Sequence, residues 1–168
     1  MPTSLNFESC TKLEELNLSG SKINVVYLPK TTHLTTVTLP TTITYFGISN
    51  APNLTTVTFE GLENLETVDI NCDKAPKFDL NQFCEDLVDC SKLASVTLDN
   101  ADLTLSISAL KKLVSAKAKI TGTITVGGAI DFALKTDLMA LYGNIDDESN
   151  SLYIQYSSQE VTSISCNT

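Results

Sequence analysis

Leu34-Thr35-Thr36-Val37-Thr38-Leu39 (LTTVTL) returns 20 residues later, almost unchanged, as Leu54-Thr55-Thr56-Val57-Thr58-Phe59 (LTTVTF). The phrase is a leucine, two polar residues, an aliphatic, one polar residue and a second apolar one. An extended chain alternates its faces, so the fourth and sixth positions point one way and the third and fifth the other. Six copies align, starting at Leu13, Leu34, Leu54, Leu65, Leu93 and Leu113, with spacings of 21, 20, 11, 28 and 20 residues.

The pairs Leu16/Leu18, Val37/Leu39, Val57/Phe59, Val68/Ile70 and Val96/Leu98 are therefore expected inside. A single short strand cannot bury its apolar face alone, so neighbouring copies must supply each other's core, and a solenoid is expected. The flanking positions agree. Three residues before each leading Leu stand Cys10, Thr31, Ala51, Leu62, Cys90 and Leu110, all small or apolar. One residue before it stand Lys12, His33, Asn53, Asn64, Lys92 and Lys112, all polar. CTKL at Cys10 and CSKL at Cys90 are nearly the same words, which predicts equivalent buried slots for the two thiols.

Between the phrases, Ile23, Val26 and Leu28, then Ile43, Phe46 and Ile48, then Leu103, Leu105 and Ile107 should line the opposite side of the core. The 11-residue step from Leu54 to Leu65 is too short for a full turn, so either a return segment is missing or one of the two phrases is itself a return strand. Leu80, Phe83, Cys84, Leu87 and Val88 carry helical spacing behind Asp79 as N-cap. A second helix is predicted over 130–142, with Gly143 as a left-handed cap. Strands are predicted at Leu152, Ile154 and Tyr156 and again over Val161 to Ile164. Residues 1–121 are read as the repeating part and 122–168 as a C-terminal cap continuous with it. Leu5-Asn6-Phe7 before Cys10 looks like the tail of a repeat, so further repeats are expected upstream.

The LxxVxLP phrase, with Leu28-Pro29 and Leu39-Pro40 closing strands and Cys-x-x-Leu at Cys10 and Cys90, resembles the leucine-rich repeats of the BspA-like, Treponema-type family over about residues 5 to 120. The resemblance implies an α/β fold: a right-handed, strand-rich leucine-rich-repeat solenoid with a few short helices. It also implies a surface-exposed or secreted scaffold for adhesion or protein binding, on a bacterium or outside it. The family's Ile-Gly and Ala-Phe second-half motif is nearly absent, with only Phe46-Gly47-Ile48 approaching it.

Charge narrows the partners. A formal net charge of -9 with no Lys/Arg cluster works against a nucleic-acid backbone or an anionic membrane. No apolar run approaches the ~20 residues of a spanning helix. Five cysteines (Cys10, Cys72, Cys84, Cys90, Cys166) form no close CxxC pair, and no histidine stands near Cys84 and Cys90 to complete a zinc set. No metal and no cofactor is expected.

A catalytic set would have to use His33, the single histidine, which occupies a turn position otherwise filled by Lys or Asn. Glu14/Glu15 point to opposite faces, Asp146/Asp147/Glu148 lack calcium-loop spacing, and Gly127-Gly128 lacks the remaining glycines of a phosphate cradle. No enzyme is expected. The patterned surface is an outward strand face: Glu15, Asn17, Thr36, Thr38, Thr56, Thr58, Thr67, Asp69, Ser95 and Thr97, continued by Ser115 and Lys117. As read here, that face is shallow and lacks Trp, Tyr or Arg anchors, which predicts weak, multivalent contact with a protein or glycan, through tandem modules or a homo-oligomer. The alternative is a structural component of a phage tail or virion.

Overall fold

A computed structural model describes residues 4–7, 9–28, 31–59, 61–71, 77–99 and 104–156. Among the described residues, eleven strands and three helices follow one another: β1 (Ser4–Asn6), β2 (Glu15–Asn17), β3 (Val25–Leu28), β4 (Thr36–Thr38), β5 (Tyr45–Ile48), β6 (Thr56–Val57), β7 (Thr67–Asn71), α1 (Leu80–Val88), β8 (Ser95–Asp99), β9 (Thr104–Ser106), α2 (Ile107–Ser115), β10 (Lys119–Gly127), α3 (Phe132–Tyr142) and β11 (Leu152–Tyr156). The fold is mixed α/β with parallel sheets, and among the described residues no sheet closes into a barrel. The large sheet runs β1-β3-β5-β7-β8-β10-β11, with β9 beside β10, and the small sheet runs β2-β4-β6.

Register stacks like on like. Leu5, Val26, Phe46, Val68, Val96 and Ile120 are partners across the large sheet, and Leu28, Ile48, Ile70 and Leu98 form the next row. Val26, Phe46, Val68, Val96 and Ile120 are fully buried, whereas Leu5, in the outermost strand, stays 42% exposed. Burying one such side chain stabilises the fold by about 1.5–3 kcal/mol, so a row of five outweighs any surface contact in the molecule. The small sheet contributes Leu16, Leu18, Val37, Leu39 and Phe59 to the same cluster.

One backbone turn explains why each phrase opens on Leu. The leading N–H donates to the carbonyl three residues earlier at Leu13/Cys10, Leu34/Thr31, Leu54/Ala51, Leu65/Leu62 and Leu93/Cys90. That turn drops the Leu inward and leaves the preceding polar residue outside. Ile23, Val26, Leu28, Ile43, Phe46, Ile48 and Leu105 are buried as the alternation predicts, and Ile107 packs against the cluster. Leu103 and the strand expected over Val161 to Ile164 lie outside the described residues.

The leading leucines do not form one column. Leu13, Leu34 and Leu54 introduce the small sheet, whereas Leu65 and Leu93 introduce β7 and β8 of the large one. The 11-residue step is thus the crossing from one sheet to the other, and the Leu65 phrase joins the ladder of β3 and β5. Cys10 and Cys90 consequently fall in different settings: Cys10 precedes β2, the outermost strand of the small sheet, and is exposed, whereas Cys90 is buried. The sixth phrase, at Leu113, is not a strand. Ala109, Leu110 and Leu113 bury one side of α2, whose Ser106 cap accepts from the Ala109 N–H.

After β6 the small sheet stops and helices take its side of the core. α1 begins at Asp79, whose Oδ1 accepts from Asn81 and Gln82 N–H, and it buries Leu80, Phe83, Cys84 and Leu87, while Val88 is left 38% exposed. α2 packs on α1. α3 is capped by Asp131, and Gly143 at φ 81° donates to Met139 O at its end. β10 holds two ladders together, pairing through Lys119–Thr121 with β8 and through Gly122–Val126 with β11. The shift occurs at Gly122, where φ is 106° and a Cβ would lie 2.1 Å from Leu98 O.

Candidate functional site

The ten expected face residues lie on two surfaces, not one. Glu15, Thr36 and Thr56 form a rank across the small sheet, with Asn17 and Thr38 as the next and Thr58 just past β6. Thr67 pairs with Ser95, and Asp69 with Thr97, on the large sheet. The split follows from the Leu54-to-Leu65 crossing. Ser115 ends α2, and Lys117 follows it at φ 59°, so neither extends a strand face.

Hydroxyls beside these ranks knit neighbouring strands together. Thr35 and Thr55 donate from Oγ1 to Glu14 O and Thr35 O, both at 3.0 Å, and Thr42 and Thr44 do the same to Ile23 O and Asn24 O. Threonine is thus a structural choice at strand entry as well as a good exposed strand former.

The large sheet carries what the periodicity reading overlooked. Tyr27, between the buried Val26 and Leu28, and Tyr45, half-buried ahead of the buried Phe46, point outward beside Thr67 and Asp69. Both rings come down over Gly47, where a Cβ would meet the Tyr45 hydroxyl at 2.8 Å and Tyr27 Cδ2 at 2.9 Å. The Tyr45 hydroxyl donates to Asp69 Oδ2 at 3.2 Å. Burial, then the Asp69 charge, its hydrogen bond and Tyr27 push the Tyr45 phenol up to about 12. The signal was present in the flanking residues: if Val26/Leu28 and Phe46/Ile48 face in, Tyr27, Tyr45 and Gly47 must face out. The face therefore has tyrosine anchors, contrary to the expectation from the phrases alone.

His33 serves the turn. Its Nδ1 lies 2.8 Å from Thr11 O, and because a carbonyl can only accept, Nδ1 carries the proton. Asn53 and Asn64 make the corresponding bonds to Thr32 O and Thr41 O, and Lys77 and Lys92 reach the two asparagine carbonyls in turn. The acidic turn is similarly occupied: Asp146 pairs with Lys135, and Asp147 Oδ1 accepts from Ser149 N–H and Oγ. Glu14 and Glu15 are both exposed.

A cleft of about 340 Å³ lies between β6 and α1, lined by Thr56, Thr58, Phe78, Gln82 and the acids Asp79 and Asp86. Asp79 is engaged as the helix cap and Asp86 by Gln82 Nε2, so the cleft's carboxylates already have work. Among the described residues, no group of three or more His, Cys, Asp or Glu side chains could hold a metal ion. Nor, among them, is any helix long and apolar enough to cross a membrane. Burial pushes the Cys84 thiol up to about 12 and the Cys90 thiol up to about 11, which keeps both protonated at neutral pH.

No family model matches the chain, and neither a curated protein nor a solved structure does.

Proposed function

We propose that this chain is a non-catalytic leucine-rich-repeat module, a right-handed solenoid that presents its outer faces for adhesion or protein–protein contact within a larger surface or secreted protein. The observation that carries the reading is the parallel ladder β3-β5-β7-β8-β10, whose common register lays outward residues side by side in ranks. Such a surface suits shallow contacts strengthened by multiplicity. The single histidine is committed to a turn, and Cys84 and Cys90 are buried and protonated, which leaves those groups poor material for nucleophilic chemistry.

The test is adhesion of beads coated with the full chain to immobilised extracellular-matrix protein and to epithelial cells. Retention well above albumin-coated beads, reduced by placing Arg at Thr97 and Thr121 together, supports the reading. Retention equal to albumin overturns it.

A further inference from the structure

Resting on the reading of the chain as a binding module, we propose that the outer face of the large sheet is a binding platform for a neutral, linear oligosaccharide, laid across the strands along Tyr27, Gly47, Asp69, Thr97 and Thr121. These five are direct partners in register on β3, β5, β7, β8 and β10. Parallel strands repeat about every 4.8 Å, close to the length of one hexose unit, so each sugar would meet one member of the rank, with the tyrosine rings standing over the buried Gly47.

The chemistry along the rank matches that of a sugar chain. Tyr27 is 42% exposed, and it lies with Tyr45 over a glycine that offers no side chain of its own. An aromatic face with negative quadrupole attracts the weakly positive C–H face of a pyranose. Asp69 is held by the Tyr45 hydroxyl through one oxygen and accepts further hydrogen bonds from sugar hydroxyls. Thr97 and Thr121, whose hydroxyls lie 3.1 Å apart, extend the polar half of the platform. Asp69 and Asp99 on this face, in a chain of net charge -9, repel uronic and sialic acids and so select neutral sugars. A basic peptide would answer the acids but would leave the tyrosine platform and the hydroxyl rank without a role.

The experiment titrates the full chain with cellohexaose, chitohexaose and mannohexaose, with a hexagalacturonate and hexalysine as contrasts, by saturation-transfer NMR and tyrosine fluorescence. At least one neutral hexasaccharide should bind and perturb tyrosine signals. Tyr27→Ala should weaken it about tenfold, whereas Tyr27→Phe should stay within about twofold because the ring face remains. Gly47→Ala, which lifts both rings without deleting either, should also weaken binding while circular dichroism stays unchanged. Absence of binding by all three neutral sugars, binding indifferent to Tyr27→Ala, or preference for hexalysine overturns the proposal. If the sugars fail while coated beads still adhere, this proposal falls and the adhesion reading stands. If the sugars bind but the beads do not adhere, the reverse holds.

Discussion

Phe59 and Phe83 meet edge to face, with ring centroids 5.0 Å apart and planes at 80°. Phe59 stands two residues past β6, the last strand of the small sheet, and Phe83 lies on α1, so this contact is where a wall of strands becomes a wall of helices. Phe46 also meets the Phe59 ring, with centroids 5.4 Å apart, tying the junction to the large sheet. Phe59→Ala should cost about 3–5 kcal/mol by denaturant titration, the range for emptying a buried aromatic site. Phe59→Leu should cost markedly less. Equal costs would mean that the volume Leu restores counts for nothing and that the ring's shape and edge contacts carry the whole effect.

Gly122 should tolerate no side chain. Alanine there would place its Cβ against the Leu98 carbonyl, which is backbone and cannot step aside, at a φ that L residues rarely adopt. Gly122→Ala should lower stability by at least about 2 kcal/mol. Amide exchange should show protection lost first at β8 and β11, whose pairings with β10 meet at Gly122.

Thr31 is fully buried, and its Oγ1 has no hydrogen-bond partner. Thr31→Val removes the uncompensated hydroxyl at nearly constant volume, so the melting midpoint should rise, by about 1 kcal/mol of stability. A drop of that size would show that the hydroxyl has a partner in solution.

Both the success and the failure of the sequence reading trace to alternation. Buried positions in β4, β7 and β8 were legible because Val37, Val68 and Val96 each sit between polar neighbours, whereas Val57 in β6, expected inside, is only half-buried. The helix at Asp79 was legible from its cap and spacing. What a six-residue phrase cannot encode is the sheet it joins, since the same strand pattern fits either wall of a shared core. Leu54 and Leu65 therefore looked alike although they open opposite walls. The Leu113 phrase misled because Leu110 and Leu113 satisfy helical spacing as well, and the Ser106 cap decides between them. Tyr27 and Tyr45 lie on β3 and β5, outside the six phrases, so the phrase pattern carries no sign of them.

Thiol labelling should separate the cysteines by burial. At pH 8, Cys10 should react promptly with an aromatic disulfide reagent, whereas Cys84 and Cys90 should react only as the chain unfolds. Peptide mapping after a timed quench reads each site, and rapid native labelling of Cys84 would contradict its place in the core.

Alkaline pH should weaken the fold partly through Tyr45. The folded chain holds this proton more tightly than the unfolded one, so the contribution is whole below about pH 10 and is lost as pH rises toward about 12. Tyr45→Phe has no proton to lose and should show a shallower decline over that window, measured by denaturant midpoints across pH. Identical slopes would remove Tyr45 from the explanation.

The central claim is that successive strands of the large sheet stand in parallel and in register, which is what lines up the outward face. Cross-strand nuclear Overhauser contacts between Phe46, Val68 and Val96 in isotope-labelled protein test it most directly. The account predicts Hα-to-amide contacts of the parallel pattern, linking Phe46 to Val68 and Val68 to Val96. Strong Hα-to-Hα contacts of antiparallel pairing, or no contacts among these residues, would contradict it.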